Sequence, residues 1–472
     1  MRHCNQGRLR QQVRFLQHQY LQDGSLPFSD ILSSEVIEQA LTALQMGWVD
    51  RIFTPLVTLC VFLGQVLSAD HSCRAAVARL IAYRVARKER RCSAETGAYC
   101  QARKRLPEAF FSQIARHTGQ CLEDNAKSRW LWKNRRVYIF DGATVSMPDT
   151  MENQQAYPQP PQQKPGLGFP LMRVAVIFSL ACGAVLDVGM CRYAGKGQSE
   201  LALLRKMWSI FRPGSIVLAD RLMCSWFEFV MLQQQEVDSV CRFTSHRTAD
   251  FRRGKRLGKD DHLVTWFKPR MLRSTDLETY KSLPDALTVR ECRVRLAQPG
   301  FRVRVLVLAT TLLDPVAYPP AALADLYRAR WNGELDLRSL KQTLQMDVLR
   351  CKTPELVRKE LWTHILAYNL IRAVLAQAAH KHHLQPRCLS FKGAIQTLEA
   401  FQPMIALQSE HDTAHRLQLY HDLLDAIATH EVAQRPNRYE PRVKKHRRNH
   451  YGWLMRPRAE TKRLMAKGLM TI

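Results

Sequence analysis

Between Leu326 and Lys341 four polar residues, Tyr327, Arg330, Glu334 and Lys341, stand 3, 4 and 7 positions apart. On a helix of 3.6 residues per turn those steps return to one face, so a tyrosine, an arginine, a carboxylate and a lysine point the same way. An ordinary amphipathic helix would put leucines on that stripe. Two more carboxylates sit upstream, each closing a strand-like run: Val137-Tyr138-Ile139-Phe140-Asp141 and Ser215-Ile216-Val217-Leu218-Ala219-Asp220. Three acids delivered from two strand ends and a helix can hold two divalent ions, and a basic stripe beside them suits a polyphosphate substrate.

Each acid alone reads as a surface residue or a cap; the combination is what solubility does not explain. Asp149 competes with Asp141 for the first position, but it follows Met147-Pro148 and reads as a turn or cap aspartate, so Asp141 is preferred. A phosphate near Glu334 would meet Arg330 as a forked donor, Lys341 as a point charge and Tyr327 through its hydroxyl. The bland alternative for Arg330 and Lys341 is pairing along the helix with Glu334 and its neighbours, worth only a few tenths of a kcal/mol, roughly. Both readings can hold in the unbound protein.

Charge narrows the partner. The chain carries 70 Lys and Arg against 42 Asp and Glu, a net +28, which attracts polyanions and makes binding salt-dependent. No polybasic amphipathic helix stands out, so nucleic acid is favoured over an anionic membrane. The longest apolar run, Leu56 to Leu67, is too short to span a bilayer. The polar start at Met1-Arg2-His3 offers no secretion signal. Thirteen scattered cysteines with no C-x2-C imply reduced thiols in a cytosol, against a disulfide framework or a zinc finger. The expected location is the cytoplasm.

Along the chain, residues 1–130 read as helical, with a start at Ser33-Ser34-Glu35-Val36-Ile37-Glu38. A basic helix from Ala75 to Arg91 and a second one carrying Arg103, Lys104 and Arg105 form either a helix-turn-helix DNA reader or a bundle with a solvated basic face. From about 131 the pattern turns to strands. Three strands, a helix, a strand and a helix, then the Glu334 helix, match a ribonuclease-H-like α/β layout over 131–345, with the acids at the rim of the sheet. Residues 346–430 return to helix. The last forty residues carry twelve Lys and Arg against two Glu, a net +10, and are expected to order on DNA. His380, His382 and His383 read as a solvated helix end. No G-x4-G-K-[ST] loop supports ATP-driven chemistry.

The Tyr-x2-Arg-x3-Glu-x6-Lys spacing, with Asp141-Gly142-Ala143-Thr144 and Leu218-Ala219-Asp220-Arg221 before it, resembles the insertion-sequence-4 family of DDE transposases. The resemblance runs from about residue 90 to the C-terminus. It implies cleavage of transposon ends and joining of the 3′-hydroxyl to target DNA by two-metal-ion phosphoryl transfer. Asp141, Asp220 and Glu334 would then be catalytic and hold two Mg²⁺, for which Mn²⁺ can substitute. The partners would be double-stranded DNA, as terminal inverted repeats and as target, with no membrane and with a dimer in the synaptic complex. A β insertion at about 237–311 is also implied, and its basic turn, Arg252, Arg253, Lys255 and Arg256, is either a DNA-tracking hairpin or an edge protected by charge. Arg221 joins the phosphate-binding candidates. Some relatives hold a flipped base with a tryptophan where this chain has Leu306-Val307-Leu308-Ala309-Thr310, leaving Trp266 and Trp331 as substitutes. The alternatives are a catalytically inactive end-binding repressor or inhibitor of transposition, and a standalone structure-selective nuclease.

Overall fold

The computed structural model describes residues 34–48, 51–86, 88–244, 247–270, 276–295, 305–407, 413–432 and 453–469. Its first strand is preceded by α1 (Ser34–Ala43), α2 (Pro55–Leu67), α3 (Cys73–Ala86), α4 (Gly97–Arg105) and α5 (Glu108–Asp124). α2 begins where Thr54 accepts the Val57 N–H and Pro55 takes the first turn, in which its missing donor is harmless. Leu56 to Leu63 is buried all round, so the helix needs neighbours on every side. It finds them in α3, α4 and a long later helix.

The expected pair of basic helices exists, but Arg103 is 4% exposed and belongs to the core. Its guanidinium lies 4.9 Å from the Phe62 ring centroid and 4.6 Å from that of Tyr99. Arg79 donates to Ser68 and Gly64, and Arg84 pairs with Glu89. Lys104 and Arg105 remain exposed. A reader built on these helices would therefore have fewer outward cations than their sequence suggests.

Then come β1 (Val137–Ser146), α6 (Met151–Ala156), β2 (Leu171–Ser179), β3 (Val185–Arg192), α7 (Glu200–Lys206), β4 (Ile216–Ala219), α8 (Trp226–Gln233) and β5 (Asp238–Arg242). β6 (Lys255–Gly258), β7 (Asp261–Phe267), α9 (Leu277–Ser282), β8 (Ala286–Arg295) and β9 (Val305–Thr310) follow. All nine strands form one sheet in the order β3-β2-β1-β4-β5-β9-β8-β7-β6. β1, β2 and β3 are antiparallel neighbours, whereas β4 runs parallel to β1 and β5 parallel to β4. From β5 to β6 every pairing is antiparallel. β5 falls inside the stretch read as an insertion from about 237, yet it extends the parallel part of the sheet. Its short run, Asp238-Ser239-Val240-Cys241-Arg242, has too few strand formers to announce this role.

The α-helices that close the chain are α10 (Pro320–Ala329), α11 (Trp331–Arg338), α12 (Pro354–Lys381), α13 (Phe391–Leu407), α14 (Thr413–Ala428) and α15 (Arg458–Ala466). The 28 residues of α12 are largely buried and pack on α2, α5 and α14. The stretch from Leu326 to Lys341, expected as one helix, is divided. Three-residue hydrogen bonds from Arg330 to Tyr327 and from Gly333 to Arg330 tighten the joint, and a π turn, Ser339–Thr343, widens the far end. Gly333, a weak helix former, sits just past the tight turn. Among the described residues no helix is long and apolar enough to cross a membrane. No disulfide joins the described cysteines. Most of the basic tail, including Arg435 to Arg448, lies outside the described residues.

Candidate active site

Register brings the two aspartates together. Ile139 of β1 is level with Leu218 of β4; Asp141 lies two residues further along β1, and Asp220 two residues beyond Leu218, just past the end of β4. Side chains alternate along a strand, so Asp141 shares a face with Ile139, and Gly142 takes the other face. Both faces are crowded by helices that approach through glycine. A Cβ on Gly333 of α11 would come 2.8 Å from Ile139 Cγ2 and 3.6 Å from Asp141 Oδ2. On the opposite face a Cβ on Gly142 would come 2.3 Å from the carboxyl carbon of Glu200, which Arg173 holds at 3.0 Å. The missing side chain at Gly333 is what lets α11 deliver Glu334 beside Asp141.

Arg330 spans the two acids, with Nη2 2.6 Å from Glu334 Oε1 and Nη1 3.6 Å from Asp141 Oδ2. Asp141 Oδ1 accepts the Gly142 N–H at 2.9 Å, while Oδ2 is buried without a hydrogen-bond partner. Burial pushes the Asp141 carboxyl up to about 6; the Gly142 N–H and Arg330 oppose the rise, and the charges of Glu334 and Asp220 add to it. The charges of the other two acids therefore both reach Asp141. Burial also works against the Arg330 charge, but Tyr327, Glu334 and Asp141 outweigh it and hold the guanidinium protonated.

The remaining predicted residues divide. Asp220 is exposed, and Oδ1 caps the following 3-10 turn by accepting the Leu222 N–H at 2.8 Å; Arg221 beside it is also exposed. Tyr327 is 8% exposed, and burial raises its phenol, with Asp220 among the charges that add to the rise and Arg330 opposing it. Expected as a hydroxyl donor to phosphate, it is largely buried in the unbound chain. Lys341 stands half-buried in the π turn. Asp149 is held before α6 by Gln154, whose amide donates to Oδ1 at 2.7 Å, in keeping with a turn. Arg252, Arg253, Lys255 and Arg256 are all exposed but lie at β6, the far edge of the sheet, where Asp250 pairs with the first two at 2.8 and 3.4 Å. Of the two substitute tryptophans, Trp266 is core, its Nε1 donating to Glu291 and its ring stacked on Phe229, whereas Trp331 is 38% exposed beside Arg330.

Sequence reasoning missed Asp336, a buried carboxylate two residues beyond Glu334 on the same helix; only its place between Leu335 and Leu337 hinted at burial. It also missed the meaning of Gly333, although a glycine in a helical pattern signals close packing. Among the described residues no three histidine, cysteine, aspartate or glutamate side chains stand close enough together to hold a metal ion. The donor set nevertheless suits a hard cation. All three acids offer oxygen, Asp141 Oδ2 is buried and unsatisfied, and a guanidinium already fills the cationic role between two of them.

The family model described as "Transposase DDE domain" matches residues 132–370, a span that contains all three acids. Transposase InsG for insertion sequence element IS4, from Escherichia coli (strain K12), is 29% identical over 303 residues, 62% of this chain and 64% of that protein. The match thus spans just under two thirds of that relative's length. The transposase for insertion sequence element IS421 of Escherichia coli is 39% identical over 69 residues, 15% of this chain and 19% of that protein. Among solved structures, the piggyBac transposase in a synaptic complex with hairpin DNA is similar at a TM-score of 0.43 and 11% identity over 85% of each chain, too loose a likeness to bear on function.

Proposed function

Starting from a chain that belongs to the transposase DDE-domain family, we propose that it cleaves the ends of a mobile DNA element and joins the freed 3′-hydroxyl to target DNA. Asp141, Asp220 and Glu334 are the catalytic acids. The observation that carries this reading is the seating of α11 on β1 through Gly333, which places Glu334 and Arg330 against Asp141. The order β3-β2-β1-β4-β5, with β4 and β5 parallel to β1, supports a ribonuclease-H-like core over about 131–345, into which the β6–β8 segment is inserted. Residues 1–130 would contribute to DNA binding, 346–430 would brace the core, and 431–472 would form a basic DNA-binding tail.

Two Mg²⁺ ions, or Mn²⁺ in their place, held by the three acids would activate the attacking oxygen and stabilise the leaving one at phosphorus. The chain's own residues do the rest. Arg330 is a forked donor that can leave Glu334 for a phosphate oxygen, and Lys341 adds a point charge on the same approach. Tyr327, the buried phenol nearest in sequence on the preceding helix, would donate its hydroxyl to the same phosphate. Arg221 and the exposed Arg252, Arg253, Lys255 and Arg256 track the duplex backbone, and the net +28 makes that grip salt-dependent. Pairing two ends requires at least a dimer on DNA, and the reaction belongs in the bacterial cytoplasm.

The test is incubation of the protein with terminal-repeat duplex and Mg²⁺ or Mn²⁺. Nicking at the element ends followed by joined products is the expected result. A gel shift with no cutting would make the protein an end-binding repressor, and cutting without joining would make it a standalone nuclease.

A further inference from the structure

The helix that carries Glu334 is poorly equipped to hold its own orientation. α11 has eight residues, is entered through the tight turn at Arg330 and is left through the π turn at Ser339–Thr343. Helices of that length are marginal without tertiary support, so the roll of α11 about its axis must be set from outside. One external contact is Gly333 against Ile139. A second is Asp336, which is fully buried.

Each Asp336 oxygen is held by a different arginine. Arg372 Nη2 takes Oδ1, and Arg387 Nη1 takes Oδ2 at 2.5 Å. Arg372 rises from α12; its Nε donates to the Tyr368 hydroxyl at 2.8 Å, and that hydroxyl donates to the Gly183 carbonyl at 3.0 Å. Arg387 reaches the same β2–β3 turn, donating to the carbonyls of Leu180 at 2.9 Å and Ser179 at 2.5 Å. Gly183 has φ +81°, and a Cβ there would come 2.8 Å from Arg372 Nε, so the turn admits the guanidinium because it is glycine. β2 in turn pairs with β1, with Val176 level with Asp141. One buried carboxylate thus ties the helix of Glu334 to the strand pair that carries Asp141. Buried ion pairs are weak sources of stability, because desolvation offsets the attraction; what a doubly held carboxylate supplies is a fixed geometry.

We propose that Asp336, through Arg372 and Arg387, is a positioning residue that sets the rotation of α11 and aims Glu334 at Asp141 and Asp220. This rests on the reading of Glu334 as the third acid. The test measures Mn²⁺ binding to the protein–DNA complex, read as loss of the electron paramagnetic resonance signal of unbound Mn²⁺, together with thermal unfolding and a gel shift on the terminal-repeat duplex. Asp336→Asn keeps the shape and removes the charge that both guanidinium groups hold. It should shift DNA as the parent does and raise the half-saturating Mn²⁺ about tenfold or more, since loss of a group that orients a ligand weakens metal binding on that scale. Cleavage should recover as Mn²⁺ is raised, and Asp336→Glu should restore part of the affinity. Asp261→Asn is the control. It breaks another buried Asp–Arg pair, 2.5 Å from Arg290 in the insertion, and should lower the Tm while leaving Mn²⁺ binding unchanged.

If Asp336→Asn bound Mn²⁺ like the parent, or if Asp261→Asn weakened it equally, the positioning role would be wrong. Should Asp336→Asn fail to fold, Arg387→Lys serves instead, because it keeps the charge but loses the planar fork. Weaker Mn²⁺ binding in that variant supports the proposal, and unchanged binding overturns it. Glu334→Gln separates the two layers. Parental Mn²⁺ binding by Glu334→Gln removes the reading of Glu334 itself, whereas its loss alongside a parental Asp336→Asn removes only the positioning role of Asp336.

Discussion

The rim of β1 and β4 and the far edge at β6 are both rich in charge, yet they handle it in opposite ways. At the rim one arginine, 16% exposed, lies between two acids, and the charge of a third reaches the same carboxyl. At the edge four cations stand in solvent, and among the described residues Asp250 pairs with two of them. Charges in a desolvated place hold geometry and shift one another's protonation, whereas exposed ones mainly supply long-range attraction that salt screens. On the proposed function, chemistry belongs to the first region and grip to the second. Substitutions at the two places should therefore fail differently.

The largest effect should come from Glu334→Gln, which keeps size and helix propensity but removes the charge proposed to ligate metal. Cleavage and strand transfer should fall by orders of magnitude while a gel shift stays at parental affinity; parental cutting would remove Glu334 from the site and dissolve the contrast. Gly333→Ala should come next. Alanine ordinarily improves a helix, but here its Cβ meets Ile139 at 2.8 Å, so α11 must lift and stability should drop by about 1–3 kcal/mol. Activity should fall with it, as chemical denaturation and a cleavage assay would show, and a more stable variant would mean that α11 does not press on β1.

At the edge, replacing Arg252, Arg253, Lys255 and Arg256 together by Ala should leave the Tm and the metal dependence alone. It should weaken DNA binding and flatten the plot of log affinity against log salt, by about one unit of slope for each phosphate that the variant no longer neutralises. An unchanged slope would make the turn a charged edge that only blocks strand pairing. The smallest effect should be that of Asp149→Asn, because its carboxylate is occupied by Gln154 in a turn. A dead Asp149→Asn with an active Asp141→Asn would move the first acid eight residues along the chain.

The contrast also marks what the sequence could reveal. Asp141 and Asp220 are legible because apolar runs stop abruptly at an acid, although β1 itself continues past Asp141 to Ser146, and Arg330 with Glu334 because four-residue spacing survives in the structure as a 2.6 Å pair. The division of the helix at Arg330 and the π turn were not legible, since both answer to packing against β1 and α12 rather than to local propensity. Arg103 reads as a surface cation because, although Tyr99 lies one turn back on its own helix, nothing nearby in sequence announces that Phe62 closes over it from another helix. Asp336 was invisible for the same reason: its partners lie 36 and 51 residues away. Strand β5 was assigned to the insertion because parallel pairing with β4 leaves no trace in five residues.

That β5 joins both halves gives the sheet a mechanical meaning. The inserted strands are not a separate body on a linker, because β9 is hydrogen-bonded to β5 and β5 to β4. Six strand spacings of about 4.8 Å separate β1 from β6, so the span is at most about 29 Å and shorter where the sheet twists. A duplex touched at β1 and at β6 would be gauged by a stiff caliper whose jaws stand about eight base pairs apart, at roughly 3.4 Å per pair. Lengthening the loops of the insertion would not change that setting; adding or removing a strand would.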